Sequence, residues 1–180
     1  MRGTQRKECL LLFELEVVVM LFSVSSILFP SLNSNLDGIS IDIFFRGCSR
    51  LCPGCHNKEL QEFVEPTVSE EHIVESLKQH RNKYSVITLM GGEPMDIHKE
   101  KLMLLLQILH REFPEKKLSI YTSVDFKNVD AEILQLLDYI KCGFYDETNR
   151  TPTGEFLASK NQIMYKKEEG KWNIQYSYNY

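Results

Sequence analysis

Apolar and polar residues recur along this chain with two periods, and the exchange between them predicts the fold. Ile39-Ser40-Ile41-Asp42-Ile43-Phe44-Phe45 begins with every second position apolar, the period of a strand. Val68 to His80 carries the helical period, with Ser69 placed as an N-cap ahead of Glu70 and Glu71. Tyr84 to Met90, rich in β-branched residues, predicts a core strand that runs into Gly91-Gly92-Glu93-Pro94. His98 to Phe113 predicts a helix with Leu102, Leu104, Leu105, Ile108 and Leu109 on its apolar side. Leu118 to Thr122 predicts a third strand, Val129 to Leu137 a helix, and Tyr139 to Cys142 a short fourth strand. Gln162 to Tyr165 and Trp172 to Tyr178 predict a hairpin closed by the polar turn Lys166 to Lys171. Near the start, Val17 to Leu28 predicts a buried strand region.

Strands that alternate with helices in this way argue for βαβ units around a parallel sheet. Ligands of such folds bind beyond the C-terminal ends of the strands. A complete eight-stranded barrel takes about 250 residues. The present 180 residues are too few, so the expected fold is α/β, an incomplete, open (βα) barrel.

Length, charge and composition narrow the class further. The chain is long enough for one domain with a sizeable core. A formal net charge of −4 gives no reason to expect nucleic acid, which usually meets a basic face. Arg2, Arg6 and Lys7 precede a greasy stretch from Cys9 to Pro30, which has the outline of a signal peptide or membrane anchor. Glu14 and Glu16 interrupt it, and a carboxylate in hydrocarbon is costly. The uninterrupted part, Val17 to Phe22, is far shorter than the ~20 residues of a spanning helix. The expectation is therefore a cytoplasmic protein with no membrane partner. Residues 1–19 stand apart as an N-terminal extension of unassigned role, and residues 20–180 form the expected functional domain.

The candidate chemistry lies in two loops. Of the five cysteines, Cys48, Cys52 and Cys55 fall within eight residues, while Cys9 and Cys142 stand alone. An odd count with one tight cluster suggests a metal site in a reducing compartment rather than a disulfide framework. The spacing is C-x3-C-x2-C, in the run Arg46-Gly47-Cys48-Ser49-Arg50-Leu51-Cys52-Pro53-Gly54-Cys55-His56-Asn57. Thiolates suit iron–sulfur clusters and zinc. Electron-transfer clusters normally use four cysteines. Three thiolates leave one iron of a [4Fe-4S] cluster free for a substrate. Gly47, Pro53 and Gly54 suit the tight turns of such a loop. The competing reading is a structural zinc site with His56 as fourth ligand, although zinc motifs usually come as two separated pairs.

The second loop, Met90-Gly91-Gly92-Glu93-Pro94, ends a predicted strand about 35 residues after the first. Its glycines let the backbone approach a ligand, and Glu93 can accept a hydrogen bond from an ammonium group. Alone this segment reads as a turn with a solvated glutamate. The cysteine loop upstream makes it specific.

Together the two loops resemble the radical S-adenosylmethionine (SAM) superfamily. The resemblance implies that Cys48, Cys52 and Cys55 hold a [4Fe-4S] cluster whose open iron is chelated by the amino and carboxylate groups of SAM. It implies that Gly91, Gly92 and Glu93 contact the amino group. One electron then cleaves SAM to methionine and a 5′-deoxyadenosyl radical that abstracts hydrogen. More narrowly, Cys52-Pro53-Gly54-Cys55-His56-Asn57 resembles the motif of the activating enzymes of anaerobic (class III) ribonucleotide reductase. Tyr139-Ile140-Lys141-Cys142-Gly143-Phe144-Tyr145 and Ser159-Lys160-Asn161-Gln162 resemble later segments of that family. By this resemblance Gly54, Cys55 and His56 lie beside SAM, and Tyr121, Thr122 and Ser123 line the same pocket. Lys141 ends a strand, and the sequence leaves open whether it faces the pocket or solvent. Asn35-Leu36-Asp37-Gly38-Ile39 keeps only one glycine of the turn the family often has there.

The implied function is generation of a glycyl radical on an anaerobic ribonucleotide reductase, with a low-potential electron donor such as flavodoxin or ferredoxin. Two other readings stand beside it. One is a radical SAM enzyme acting on another glycyl-radical protein or a small molecule. The other is a non-catalytic metal-binding module.

Overall fold

A computed structural model describes residues 19–178. Residues 1–18 lie outside the described residues, and with them Cys9, Val17 and the extension up to Val18. In chain order the strands and helices are β1 (Leu21–Phe22), β2 (Val24–Ser31), β3 (Ser40–Phe45), β4 (Val68–Ser69), α1 (Glu70–Lys78), β5 (Val86–Gly91), α2 (Lys99–Glu112), β6 (Lys117–Tyr121), α3 (Ala131–Gln135), β7 (Tyr139–Cys142), β8 (Ile163–Glu168) and β9 (Lys171–Ser177).

Seven strands form one mixed sheet in the order β2-β3-β5-β6-β7-β8-β9, and β1 pairs separately with β4. The four central strands, β3, β5, β6 and β7, are parallel. β2, β8 and β9 add antiparallel at the flanks. Among the described residues β2 and β9 are the sheet's outermost strands. Among the described residues three α-helices accompany it, so the protein is α/β with a core made mostly of sheet. The incomplete (βα) barrel expected from the sequence is met at that coarser level.

Alternation along the central strands separates two faces. Ile41, Ile43 and Phe45 of β3, Ile87 and Leu89 of β5, Leu118 and Ile120 of β6, and Ile140 of β7 share one hydrophobic cluster with the helices. α1 contributes Ile73, Val74 and Leu77, and α2 contributes Leu102, Leu105, Leu106 and Leu109. Each such side chain, fully buried, is worth roughly 1.5–3 kcal/mol. α1 begins where Ser69 Oγ accepts from the His72 backbone N–H at 3.1 Å, with Glu70 and Glu71 at the positive end of the helix.

The opposite face carries buried polar residues in the intervening positions: Ser40, Asp42, Thr88, Ser119 and Lys141. Ser40 Oγ joins Thr88 Oγ1 at 2.7 Å and donates to Asp42 Oδ1 at 2.7 Å. Ser34 donates to the other Asp42 oxygen.

Three expectations need correction. The apolar stripe of α2 runs through Leu102, Leu105, Leu106 and Leu109, and Leu104 is 44% exposed. The hairpin turn has two residues, Glu169 and Gly170, both at positive φ, because Glu168 pairs with Lys171. That is the geometry two-residue hairpins prefer. The strand region near the start is not uniformly buried. It is broken at Ser23, runs on to Ser31 as an edge strand, and leaves Val19, Leu21 and Leu28 exposed while Phe22 is buried.

Candidate functional site

The cysteine loop leaves β3 directly and is tied back on itself. Gly47 N–H donates to the Leu60 carbonyl at 2.8 Å, and Cys48 N–H to the Gln61 carbonyl at 3.0 Å. Gly47, Leu51 and Gly54 all take positive φ, which bends the loop sharply. Ser49 N–H and Oγ donate to the two oxygens of Asp96, in the segment after β5, at 2.7 and 3.1 Å. Cys48, Cys52 and Cys55 are all free and half-buried, and all three line one cavity of about 480 Å3. Such a volume suits a small-molecule ligand.

The electrostatics around the sulfurs are mixed. Burial pushes the Cys48 thiol up, and the Glu93 and Asp96 carboxylates push the same way. The Arg50 and Leu51 backbone amides donate to its sulfur and pull down. Burial also raises Cys52, helped by its neighbours Cys55 and Cys48, while the Tyr145 backbone amide opposes the rise. Amides aimed at sulfur favour the thiolate that a metal needs. Among the described residues, no three His, Cys, Asp or Glu side chains converge as ligands of one metal ion. In a cubane cluster each thiolate binds a different iron, so a wider spacing suits that donor set. Cys142 is buried in the helix-side core, and burial pushes its thiol up to about 12. It packs as a small apolar side chain.

Gly91-Gly92-Glu93 closes the site from the end of β5. Gly91 has φ +106, and a Cβ there would meet the Phe45 carbonyl oxygen at 2.6 Å. A Cβ on Gly92 would stand 2.2 Å from the Gly47 carbonyl oxygen. Gly92 N–H donates to Phe45 O at 2.8 Å, and Glu93 N–H to Gly47 O at 2.9 Å. The glycines thus serve first to bring this loop against the backbone of the cysteine loop. Ligand approach was the reason expected from the sequence.

Glu93 is only 3% exposed, and its carboxylate is held by four donors. Oε1 accepts from Thr122 Oγ1 at 2.6 Å and from Met95 N–H at 3.1 Å. Oε2 accepts from Ser123 N–H at 2.8 Å and from Ser123 Oγ. No basic side chain pairs with it among the described residues. The result is a fixed negative charge on the cavity wall.

Tyr121 ends β6, Thr122 and Ser123 follow it, and all three line the cavity, as does His56. Gly54 does not line it. A Cβ there would meet Glu147 Oε1 at 2.4 Å, and the residue serves the turn. Lys141 resolves to the cavity side, where it is 9% exposed. Asp42 and Tyr145 also line the cavity and were not singled out by sequence. Polar residues at every second position of core strands were the available signal for Asp42.

The two later segments pack on each other. Gln162 Oε1 accepts from the Ala158 and Ser159 amides at 3.1 and 3.2 Å, while its Nε2 donates to the Gly143 carbonyl at 3.1 Å. Asn161 Nδ2 donates to the Phe144 carbonyl at 2.6 Å. Asp146 N–H donates to Ser159 Oγ at 3.2 Å. This clamp fixes the stretch that carries Tyr145 next to Cys52 and His56, whose ring lies 5.7 Å from that of Tyr145.

Residues 35–165 match the family described as a 4Fe-4S single cluster domain, a span that contains both loops. The anaerobic ribonucleoside-triphosphate reductase-activating protein of Pasteurella multocida is 31% identical over 150 residues, covering 77% of this chain and 94% of that protein. Its counterpart from Haemophilus influenzae is 28% identical over 146 residues, with the same coverage. That of Escherichia coli K12 is 27% identical over 143 residues, covering 73% and 90%. The cysteine loop, the Gly-Gly-Glu closure and the clamp on residues 143–146 thus fall inside the matched span, and this chain belongs to the anaerobic ribonucleoside-triphosphate reductase-activating protein family.

Proposed function

We propose that this protein is a radical SAM activating enzyme that installs a glycyl radical on an anaerobic ribonucleoside-triphosphate reductase. One observation carries the reading: the three thiols and the Glu93 carboxylate face one ligand-sized cavity at the C-terminal edge of the parallel strands. Cys48, Cys52 and Cys55 would hold a [4Fe-4S] cluster. Together with SAM, that cluster supplies reductive cleavage to a 5′-deoxyadenosyl radical and hydrogen abstraction from a glycine.

The residues of the chain do the rest. The Arg50, Leu51 and Tyr145 amides donate toward the Cys48 and Cys52 sulfurs and oppose the rise that burial imposes on both thiols. The fixed carboxylate of Glu93 attracts the cationic end of SAM, and the Gly91–Gly92 backbone brings it beside the thiols. Ser123 and Thr122 keep that carboxylate in place. Tyr121 and Phe44 supply apolar wall to the cavity. The four parallel strands are read as the partial barrel of this superfamily, open on the side where a protein target enters. The setting is the reducing cytoplasm, with a low-potential donor such as flavodoxin or ferredoxin as electron source.

Anaerobic reconstitution tests the proposal. The expected result is about four irons and four sulfides per chain, with slow SAM cleavage by the protein alone. Adding the reductase from the same genome should give a glycyl radical by electron paramagnetic resonance that disappears in Cys48→Ala, Cys52→Ala and Cys55→Ala. Stoichiometric zinc without iron, or rapid turnover of a small metabolite with no radical on the reductase, would reject it.

A further inference from the structure

The three residues after Cys48 use their donors in two different ways. The Arg50 and Leu51 amides are aimed at the Cys48 sulfur. Ser49 turns both of its donors away, the backbone N–H to Asp96 Oδ2 at 2.7 Å and Oγ to Asp96 Oδ1 at 3.1 Å. Asp96 is held in place to receive them. It ends the short 3-10 turn Pro94–Asp96 that follows Glu93, and its own N–H donates to the Glu93 carbonyl at 2.9 Å. Among the described residues no basic side chain pairs with the Asp96 carboxylate. Arg46 and Lys101 border the same small cavity but are engaged elsewhere, Arg46 with Glu62 at 3.2 Å and Lys101 over the Phe22 ring at 4.8 Å. The charge of Asp96 therefore stands uncompensated, and it reaches Cys48: together with Glu93 it pushes that thiol up, in the direction burial already takes it.

We propose that Asp96 is a positioning residue that lowers the reduction potential of an iron–sulfur cluster bound at Cys48, through its charge and through the Ser49 donors that it withholds from sulfur. This rests on the cluster-binding role proposed above and adds to it what sets the reducing strength of the site.

Both effects have the same sign. Reduction adds one electron, and so one negative charge, beside the thiolates. A fixed carboxylate near Cys48 disfavours that charge, whereas hydrogen bonds to the sulfurs favour it. The Ser49 N–H and hydroxyl are donors of that kind placed directly after the ligand, and Asp96 takes both. Glu93 cannot do the same work once a ligand is bound. It borders the cysteine cavity, where the cationic end of SAM would neutralise it. Asp96 does not border that cavity, so its charge persists with the ligand in place. A strongly reducing site is what cleavage of a sulfonium requires.

The test is a spectroscopic redox titration of the full chain, reconstituted anaerobically, in the parent and in three variants. Asp96→Asn keeps the size of the side chain and an acceptor for the Ser49 N–H but removes the charge. At a fixed applied potential its ratio of reduced to oxidised cluster should rise at least about threefold, a shift of about 28 mV at 59 mV per decade for one electron. Asp96→Ala also frees the Ser49 donors, and its potential should rise further. Ser49→Ala breaks part of the same latch but leaves the charge, so it should keep the parental potential. Asp96→Asn and Ser49→Ala should both hold the parental amount of iron. A parental potential in Asp96→Asn, or an equal rise in Asp96→Asn and Ser49→Ala, would make the pair a mechanical latch and overturn the proposal. Loss of iron from Asp96→Asn would overturn it as well. A parent chain that takes up no four-iron cluster would instead reject the cluster-binding role itself, and this inference with it.

Discussion

The Gly92 α-carbon packs so closely on the Gly47 carbonyl that a methyl group there would stand 2.2 Å from the oxygen. Gly47 is itself held from the other side by the Leu60 carbonyl, so the contact has little room to relax. The two motifs of this chain are therefore one structural unit. Gly92→Ala should push the cysteine loop away from the cavity. Overpacking of this kind costs about 1–3 kcal/mol, and the variant should lose iron after reconstitution as well as thermal stability. Iron content and melting temperature measured together check this. Full iron with only weaker SAM binding would show that the glycine serves the ligand alone.

Glu93 has the opposite profile, because its neighbours can survive its replacement. Glu93→Gln keeps a carbonyl for Thr122 and Met95 but turns an amide toward Ser123 and removes the negative charge. Charge-assisted hydrogen bonds to the carboxylate are worth about 1.5–3 kcal/mol each. A measurable drop in stability should appear, with iron binding retained. SAM affinity should fall by about tenfold or more, since the charge that attracts its cationic end is gone. Equilibrium binding of SAM to the reconstituted variant is the measurement, and parental affinity would count against the assigned role.

Gln162 should matter for the cluster without touching it. Its side chain bridges the Ser159 turn to the Gly143 carbonyl, and Tyr145 follows two residues later. In Gln162→Ala the Ala158 and Ser159 amides and the Gly143 carbonyl lose their partner. Unpaired buried groups of this sort cost about 1–3 kcal/mol. The Tyr145 amide would then wander from the Cys52 sulfur. The variant should still take up iron but lose it faster to a chelator, while Lys160→Ala on the exposed side should behave as the parent. Equal rates of iron loss in all three would separate the clamp from the cluster.

These relationships mark where the sequence stops being readable. Local spacing made the cysteine loop, the Gly-Gly-Glu segment and the principal central strands and helices legible, because each is specified by residues within one element. The Ser69 cap fell where Ser-Glu-Glu places it. The α2 stripe was misplaced because leucines occupy 102, 104, 105, 106 and 109, and only packing decides which four face inward. Polarity does not mark the hairpin turn, because Lys166 to Glu168 are polar yet still paired in β8. Lys141 stayed undecided for a physical reason: all four residues of β7 are buried, so alternation carries no sign of which face is which. The Gln162–Gly143 contact joins positions 19 apart with no periodicity to announce it.

The ionisation of Lys141 offers a test that needs neither metal nor partner. Burial pushes its pKa down to about 8 in the folded protein, against about 10.4 in an unfolded chain. Below the folded value the lysine is charged in both states, and folding bears the whole cost of burying that charge. Between the two values the unfolded state binds more protons, so the cost shrinks as pH rises. Above the unfolded value the lysine is neutral in both states and the cost is gone. Lys141→Met removes the charge at every pH. The variant should therefore be more stable than the parent at pH 7, by about 1–3 kcal/mol, with that advantage shrinking steadily from pH 8 to pH 10.5. Other groups titrate in both proteins and cancel in the difference. Urea unfolding of the pair across this range measures it, and a difference that does not change with pH would mean the lysine keeps its ordinary ionisation in the fold.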